Sequence, residues 1–344
     1  MTEMLAPDGK PFKLIELKNT HGMRVLLTDW GATWLACSVP VGTLMREVLL
    51  RANSPKVQCE QGAYLGASVG RYANRIANAQ FTLHDRTFHL NANQDGKHQL
   101  HGGSHGFNQQ RWRIVEQHES AVTLALVSPD GEQGFPGEVQ VQAVFSLNHD
   151  NALRICYTAS STADTPLNLT SHPYFNLDGI NSANTILTQK LSIAANHYLP
   201  VNREGIPNKP LTAVEGTGFD FRTMKAIGQD FMRDEDQRIT KGYDHAFLFD
   251  ECNANNVQVR LQSSKDDLAL AISTNQPAIQ VYTGNFLAGT PNSQGRAYVN
   301  QAGIALETEA LPDTPNHPEW WQYGGMSQAG EQYCNDTVFQ FYTP

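Results

Sequence analysis

No apolar run in the sequence approaches the roughly 18 to 20 residues that a membrane-crossing helix needs. The opening residues, Met-Thr-Glu-Met-Leu-Ala-Pro-Asp-Gly-Lys, lack the basic stretch followed by an apolar one that marks a secretory leader. Cysteine is scarce, five in 344 residues. Cys37, Cys59, Cys156, Cys252 and Cys334 are odd in number, widely spaced and never in a Cys-x-x-Cys pair, so neither a disulfide framework nor a zinc site is expected. They are expected as reduced thiols in the cytoplasm, packing as small apolar groups. Basic charge is in deficit, 25 Lys+Arg against 34 Asp+Glu for a formal net charge of −9. That balance argues against a nucleic-acid or anionic-membrane partner. The chain contains no Gly-x-x-x-x-Gly-Lys-Ser/Thr, no strand-linked Gly-x-Gly-x-x-Gly and no His-Glu-x-x-His. Nucleotide-dependent and zincin chemistries are thereby disfavoured. There is also no internal repeat, low-complexity tract or Pro/Ser-rich linker, so residues 1–344 are expected to form one domain.

What is present is a globular composition, 40% apolar and 17% charged, with 27 Gly and 17 Pro dispersed along the chain. Period-two alternation dominates. Glu138 to Leu147 sets Val139, Val141 and Ala143 on one side against Gln140 and Gln142 on the other, the pattern of a half-buried strand. Val122–Leu126, Val257–Leu261, Leu268–Ile272 and Ala278–Tyr282 read the same way, and Gln80 to Leu90 reads as a hairpin around His84-Asp85-Arg86. Thr223 to Ile239 is the best helical candidate, although Gly228 and the charged run Arg233–Asp236 interrupt its apolar stripe. Residues 195–218, rich in Asn, Pro and Gly, are expected as a long surface connection. Many short strands separated by turn formers imply an all-β sandwich or barrel.

Polar groups interrupt these apolar segments at five places. In Gly70-Arg-Tyr-Ala-Asn-Arg-Ile-Ala-Asn, Arg71, Asn74, Arg75 and Asn78 belong either to a solvated loop or to a site. In Leu100-His-Gly-Gly, the two glycines after His101 permit positive φ and a close approach of backbone to a ligand, and equally suit a plain turn. His98 and His105 lie nearby without a Cys or acidic partner, so no metal is expected. In Leu167–Leu177, His172, Tyr174 and Asn176 share one parity of an apolar strand; His172 is either a general acid or a core histidine bonded to a hydroxyl. Glu307 follows Gly303-Ile-Ala-Leu in what should be a buried strand, where desolvation would raise its pKa, and is the best single candidate for a catalytic base. Glu309, two residues on, would share its face; the alternative is a pair of carboxylates at an exposed strand end. Finally, Tyr243-Asp-His supplies Asp244 and His245. Gln280 and Tyr282 alternate along their strand, Gln280 suiting either a hydrogen bond to hydroxyls or a structural one.

Taken in order, Gly-Arg-x-Ala-Asn-Arg-Ile, Leu-His-Gly-Gly, His-x-Tyr-Phe-Asn-Leu, Tyr-Asp-His and Leu-Glu-Thr-x-x-x-Pro-Asp resemble the galactose mutarotase, or aldose 1-epimerase, family from about residue 12 to 340. The resemblance implies a large antiparallel β-sandwich with few short helices and a sugar cleft on one sheet. It implies that Glu307 removes the C1 hydroxyl proton of an aldohexose, D-galactose or D-glucose, while His172 protonates the ring oxygen. The ring then opens, C1–C2 rotates and closure gives the other anomer. Asn74, Arg75, His101, Tyr174, Asp244 and Gln280 would hold the hydroxyls and the ring oxygen, with no metal or other cofactor. Glu309 stands where this family commonly has Gln and Ser171 where Asn often precedes the acid; if Glu309 faces the site, it would raise the pKa of the base. Two alternatives remain open: a hexose 6-phosphate mutarotase, for which Arg51, Lys56 and Lys97 would have to converge, and a non-catalytic carbohydrate-binding protein. Nothing in the charge pattern marks an interface, and the oligomeric state is left open.

Overall fold

The alternating segments form strands because every second side chain can leave water together. Val139–Leu147 buries Val139, Val141, Ala143, Phe145 and Leu147 while Gln140 and Gln142 face out. The computed structural model describes residues 4–181, 185–251, 253 and 255–344. Nine strands make the largest sheet, in the spatial order Arg113–Gln117, Ala121–Ser128, Val139–Leu147, Ala152–Ser161, Gln332–Tyr342, Ala269–Thr274, Val259–Gln262, Lys190–Ile193 and Lys225–Ala226. A six-stranded sheet runs Tyr174–Phe175, Ile304–Glu309, Ala278–Tyr282, Asp244–Leu248, His197–Tyr198, Thr212–Ala213. A four-stranded sheet is built from Leu14–Lys18, Arg24–Thr28, Thr33–Val41 and Leu44–Glu47. The last two are joined by the Leu49–Phe175 bridge and by Leu50 N–H donating to Tyr174 O, so they make one layer. All strand pairings between these elements are antiparallel.

One core lies between the layers. Phe145, Ile155, Leu270, Ile272 and Phe339 come from the nine-stranded sheet; Val25, Leu27 and Trp34 from the four-stranded one; Phe247, Ile279, Val281, Ile304 and Leu306 from the six-stranded one. Trp34 meets Phe175 and Phe339 edge-on at 5.8 and 5.5 Å, and the two phenylalanine rings lie tilted against each other at 5.8 Å. The molecule is thus the expected large antiparallel β-sandwich. Among the described residues the α-helices are short, Pro55–Glu60 and Glu235–Thr240, six residues each.

Three expectations change. Thr223 to Ile239 is not one helix: it divides into the strand Lys225–Ala226, the 3₁₀ turn Ile227–Asp230 and the helix Glu235–Thr240. Gly228 packs with its backbone against Leu187, and Asp230 is drawn out to Lys225 at 2.7 Å, so no continuous stripe is left to bury. Residues 195–218 do not simply cover the surface; Tyr198, Leu199, Val201 and Val214 are buried, and the segment contributes two short strands. The cysteines also depart from simple dispersal: register pairs Cys156 with Asp336 and Thr158 with Cys334, which places two thiols on neighbouring strands. Cys37, Cys59, Cys156 and Cys334 are free, and Cys252 lies outside the described residues. The hairpin at 80–89 forms as expected, with His84 and Asp85 both at positive φ in its two-residue turn.

Candidate active site

The strand Ile304–Glu309 explains why two carboxyls are buried. Its even-numbered side chains, Ile304, Leu306 and Thr308, face the core, where the Thr308 hydroxyl lies 2.7 Å from that of Thr337 on the nine-stranded sheet. Ala305, Glu307 and Glu309 therefore face the opposite way. On the adjacent strand Gln280 is directly opposite Glu307, and Tyr282 is opposite both Ala305 and Asp244. A cavity of about 340 Å³ opens on this face, lined by Glu307, Gln280, Asp244 and Tyr282 from the sheet.

Loops close the other sides. His172 enters from the segment preceding Tyr174, with its N–H donating to Ala67 O and its own carbonyl accepting from Gly66 N–H, at 2.9 and 2.8 Å. These bonds fix the main chain at His172; among the described residues its ring Nδ1 and the Ser171 hydroxyl are buried without a partner. Asn74 adopts φ 66°, tolerable for Asn, which turns the chain so that Asn74 and Arg75 both reach the cavity. His101 follows at φ 50°, and Gly102 explains the glycine pair: a Cβ there would lie 1.8 Å from Gly70 O. At Gly102 the close approach is to another stretch of backbone, which locks the two motifs together, whereas a Cβ at Gly103 would meet the Gln133 side chain.

The eight residues that the resemblance assigns to catalysis and sugar binding, Glu307, His172, Asn74, Arg75, His101, Tyr174, Asp244 and Gln280, all line this one cavity. His172 Nε2 lies 3.4 Å from Glu307 Oε1. The Gln280 side-chain amide donates to Asp244 Oδ1 at 2.7 Å, and Arg75 Nη2 stands 3.9 Å from Asp244 Oδ2. Arg71, four residues earlier in the same motif, is not part of the site. It is buried and donates to Ser128 Oγ and to the carbonyls of Ser128, Pro129, Pro136 and Gly137. Asn78 and His98 also serve structure, Asn78 N–H donating to His98 Nδ1. Sequence reasoning missed Tyr64, whose ring lies 4.6 Å from that of His101, the exposed Phe286 and the buried Leu287. Tyr282 was noted for its parity with Gln280, and that parity was the available signal for placing it in the site. Tyr64, between glycines in a loop without periodicity, gave none.

Burial sets the proton affinities. Glu307 is held well above the ordinary carboxyl pKa first by desolvation, then by Glu309 and Asp244, with Arg75 opposing. Glu309, wholly buried behind Asn74, is pushed to about 8, again mainly by desolvation, with the bond from Asn74 opposing. His172 is lowered to about 4 by burial. His101 is pushed well below 6.5 by burial, His172 and Arg75. Burial thus shifts Glu307 up and His172 down, toward the neutral form of each, and a proton moved across the 3.4 Å between them converts acid-plus-imidazole into carboxylate-plus-imidazolium.

His101, His172 and Glu307 bring three potential metal-ligand atoms within 4.8 Å of one another. The His101 tautomer speaks against a metal. Its Nδ1 accepts the backbone N–H of Asn74 at 3.1 Å, so in the neutral ring Nε2 carries the hydrogen and has no lone pair to give. His101 instead presents a hydrogen-bond donor to the cavity. Arg51, Lys56 and Lys97, which would have to converge on a phosphate, do not line it; each lies beside its own carboxylate, Glu47, Glu60 and Glu204 respectively.

A polar cavity with an acid–base pair in its wall and amide, guanidinium and imidazole donors around it defines a site for a small hydroxylated molecule, carried on a β-sandwich. A family model described as aldose 1-epimerase matches residues 13–340, and the chain belongs to that family of isomerases. An aldose 1-epimerase of Haemophilus influenzae is 52% identical over 340 residues, covering 99% of this chain and 98% of that one. Among solved structures, an aldose epimerase homologue from C. elegans superposes with a TM-score of 0.88 at 25% identity, over 96% of this chain and 99% of the other. A galactose 1-epimerase from Lactobacillus acidophilus superposes with a TM-score of 0.85 at 27% identity, over 99% and 97%.

Proposed function

We propose that the protein interconverts the α and β anomers of a free aldohexose, D-galactose or D-glucose, in the cavity around Glu307 and His172. The observation that carries this reading is the 3.4 Å approach of His172 Nε2 to Glu307 Oε1. Opening a hemiacetal requires one proton to leave the C1 hydroxyl and one to reach the ring oxygen, and a carboxylate–imidazolium pair does both. Glu307 takes the hydroxyl proton as the C1 carbonyl forms and the C1–O5 bond breaks, and His172 gives its proton to O5. After rotation about C1–C2 the roles reverse. Each transfer is worth about 10²- to 10⁴-fold.

The state left after opening, neutral Glu307 and neutral His172, is the one that burial favours in the empty cavity. Binding therefore has to draw the proton toward His172, and Arg75, beside Asp244 at the cavity wall, is the cation that favours ionised Glu307. His101 donates from Nε2, Gln280 and Asp244 form a linked donor–acceptor pair, and Asn74 and Tyr174 complete the hydroxyl contacts. A further support is the name carried by the Lactobacillus relative, which acts on galactose. Galactose and glucose share C1 and O5 and differ at the C4 hydroxyl, so both are proposed substrates. We take residues 1–344 to act as one domain, because one core draws on all three large sheets.

Polarimetry on freshly dissolved α-D-galactose and α-D-glucose tests the proposal, with wild type, Glu307→Ala and no protein compared. Acceleration by wild type that disappears in Glu307→Ala is the expected result, and its size ranks the two sugars. No acceleration, with binding retained by calorimetry, would point to a binding protein or to a phosphorylated substrate.

A further inference from the structure

The Arg75 guanidinium is held between two turns that the site itself does not include. From one side the turn Gln94–His98, closed by reciprocal bonds between Gln94 and His98 at 3.0 Å each, gives the Gln94 side-chain oxygen to Arg75 Nε at 2.9 Å. From the other side comes Asn202–Ile206, within the connection expected to lie on the surface. Its Asn202 side chain accepts the N–H groups of Glu204 and Ile206 at 2.9 and 3.1 Å, and Gly205 N–H donates to Asn202 O at 3.0 Å. The two turns are tied together by Glu204, whose carboxylate meets Lys97 Nζ at 2.7 and 2.9 Å and lies 3.5 Å from His98 Nε2, while its carbonyl accepts from the Gln94 amide.

Gly205 is where this clamp touches the arginine. A Cβ built on it would lie 2.6 Å from Arg75 Cζ, 2.7 Å from Nε and 2.9 Å from Nη1. Near-equal distances to three atoms of one plane mean that the flat face of the guanidinium rests on the bare glycine backbone. A side chain at that point has to push the whole group toward or away from the cavity, because Gln94 fixes Nε from the opposite turn. The position also needs positive φ, +76°, which glycine adopts without cost.

We propose that Gly205 is a positioning residue for the reaction: the Asn202–Ile206 turn is a backstop that sets how far the Arg75 guanidinium reaches toward the sugar, and the absence of a side chain at 205 sets its depth. This rests on Arg75 acting in the cavity as described under the proposed function. It adds an element, 202–206, that none of the cavity-lining residues contains, and it gives the Lys97–Glu204 pair a role in fixing that turn rather than in binding.

The test is a set of purified variants assayed for anomerisation of α-D-galactose by polarimetry, each checked for folding by circular dichroism and thermal unfolding. Gly205→Ala adds the Cβ and strains the backbone; Gly205→Asn adds the Cβ at a residue type that tolerates positive φ. Gly216→Ala is the control for strain alone, since Gly216 has φ +74° with nothing within 4 Å of a Cβ. The expected result is a fall in kcat of about 10- to 100-fold in both Gly205 variants, with KM changed by less than about threefold. Gly216→Ala should keep wild-type kinetics, and Gly205→Asn should add no further loss in an Arg75→Ala background. A folded Gly205→Asn with wild-type kcat, while Arg75→Ala is impaired, overturns the backstop and leaves the reading of Arg75 standing. The same loss from Gly205→Asn with and without Arg75 also overturns it. Wild-type activity in Arg75→Ala overturns the underlying role of Arg75 and this inference with it.

Discussion

Glu309 accepts a hydrogen bond from the Asn74 side chain at 3.0 Å, and its second carboxyl oxygen is buried without a partner. The carboxyl lies on the same face of the strand as Glu307 and is pushed to about 8, so at neutral pH it is an uncharged acid beneath the site. Above that pH it becomes a second negative charge beside Glu307 and makes Glu307 hold its proton more tightly.

Glu309→Gln keeps the shape and removes that charge. At pH 7 the variant should act within about threefold of wild type, since an amide replaces a neutral acid. Its alkaline limb, where the Glu307–His172 pair loses its shared proton, should move to lower pH by on the order of one unit, while the acid limb stays in place. A pH–rate profile from pH 5 to 10 reads both limbs, and superposable curves would remove Glu309 from the chemistry.

Arg71 and Arg75 stand four residues apart in one motif, yet only one belongs to the site. Arg71 is a buried cation whose five bonds tie the 70–78 loop to the segments 128–129 and 136–137. Arg71→Met should destabilise the protein by about 3 to 5 kcal/mol, because four carbonyls lose their donor in a buried setting. Urea unfolding measures the loss; turnover per folded molecule near the wild-type rate, at a temperature where the variant is native, is expected alongside it.

Why the sequence separated these roles only in part is physical. Period two made the sandwich legible, and the parity of Ile304–Glu309 correctly put Glu307 and Glu309 on one face, because a strand leaves a side chain only two directions. Loops carry no such constraint. Tyr64 reaches His101 from a turn at φ 56°, and Arg71 turns inward toward carbonyls some sixty residues away. The segment 223–239 is not one helix because its apolar residues meet the main core from short separate elements, Ile227 from the 3₁₀ turn Ile227–Asp230 and Phe231 beyond it against Tyr243. Motif order supplied what periodicity lacked, bringing Asn74, His101, His172 and Asp244 to one cavity from four separate stretches of chain.

His101 is predicted to act as a donor through Nε2–H, since Asn74 N–H occupies Nδ1. His101→Phe keeps an aromatic ring against Tyr64 but removes the donor, and should cost about 10²- to 10³-fold in kcat/KM. Because burial keeps His101 neutral, the wild-type rate should show no titration assignable to it between pH 6 and 8. A profile in which His101→Phe deletes an inflection near pH 6.5 would sink the donor assignment. Added Zn²⁺ at micromolar level should neither activate the enzyme nor bind at these three residues, which equilibrium dialysis checks.

His245 faces away from the cavity into an aromatic pocket, its ring 4.8 Å from Phe219 and 6.0 Å from Tyr198. Its Nδ1 accepts the N–H of Asp244 at 3.0 Å, so Nε2 carries the hydrogen of the neutral ring, with no partner among the described residues, and a second proton would have to go on Nδ1, against the Asp244 N–H. Burial lowers its pKa to about 3, with Asp236 weakly opposing. A histidine whose folded pKa lies below its unfolded value near 6.5 is protonated first in the unfolded chain. Its contribution to stability is therefore present above pH 6.5 and is lost as pH falls toward 3. Between pH 6.5 and 5 that loss is about 2 kcal/mol. His172 and His101 carry the same sign, so wild type should lose more than this in total. His245→Phe fills the pocket but leaves Asp244 N–H without its acceptor, which lowers stability by a similar amount at every pH. The slope is the diagnostic quantity: between pH 7 and 5 the variant should lose about 2 kcal/mol less than wild type in urea unfolding. Equal losses in the two proteins would show that His245 does not titrate on unfolding and would remove it as a source of acid sensitivity.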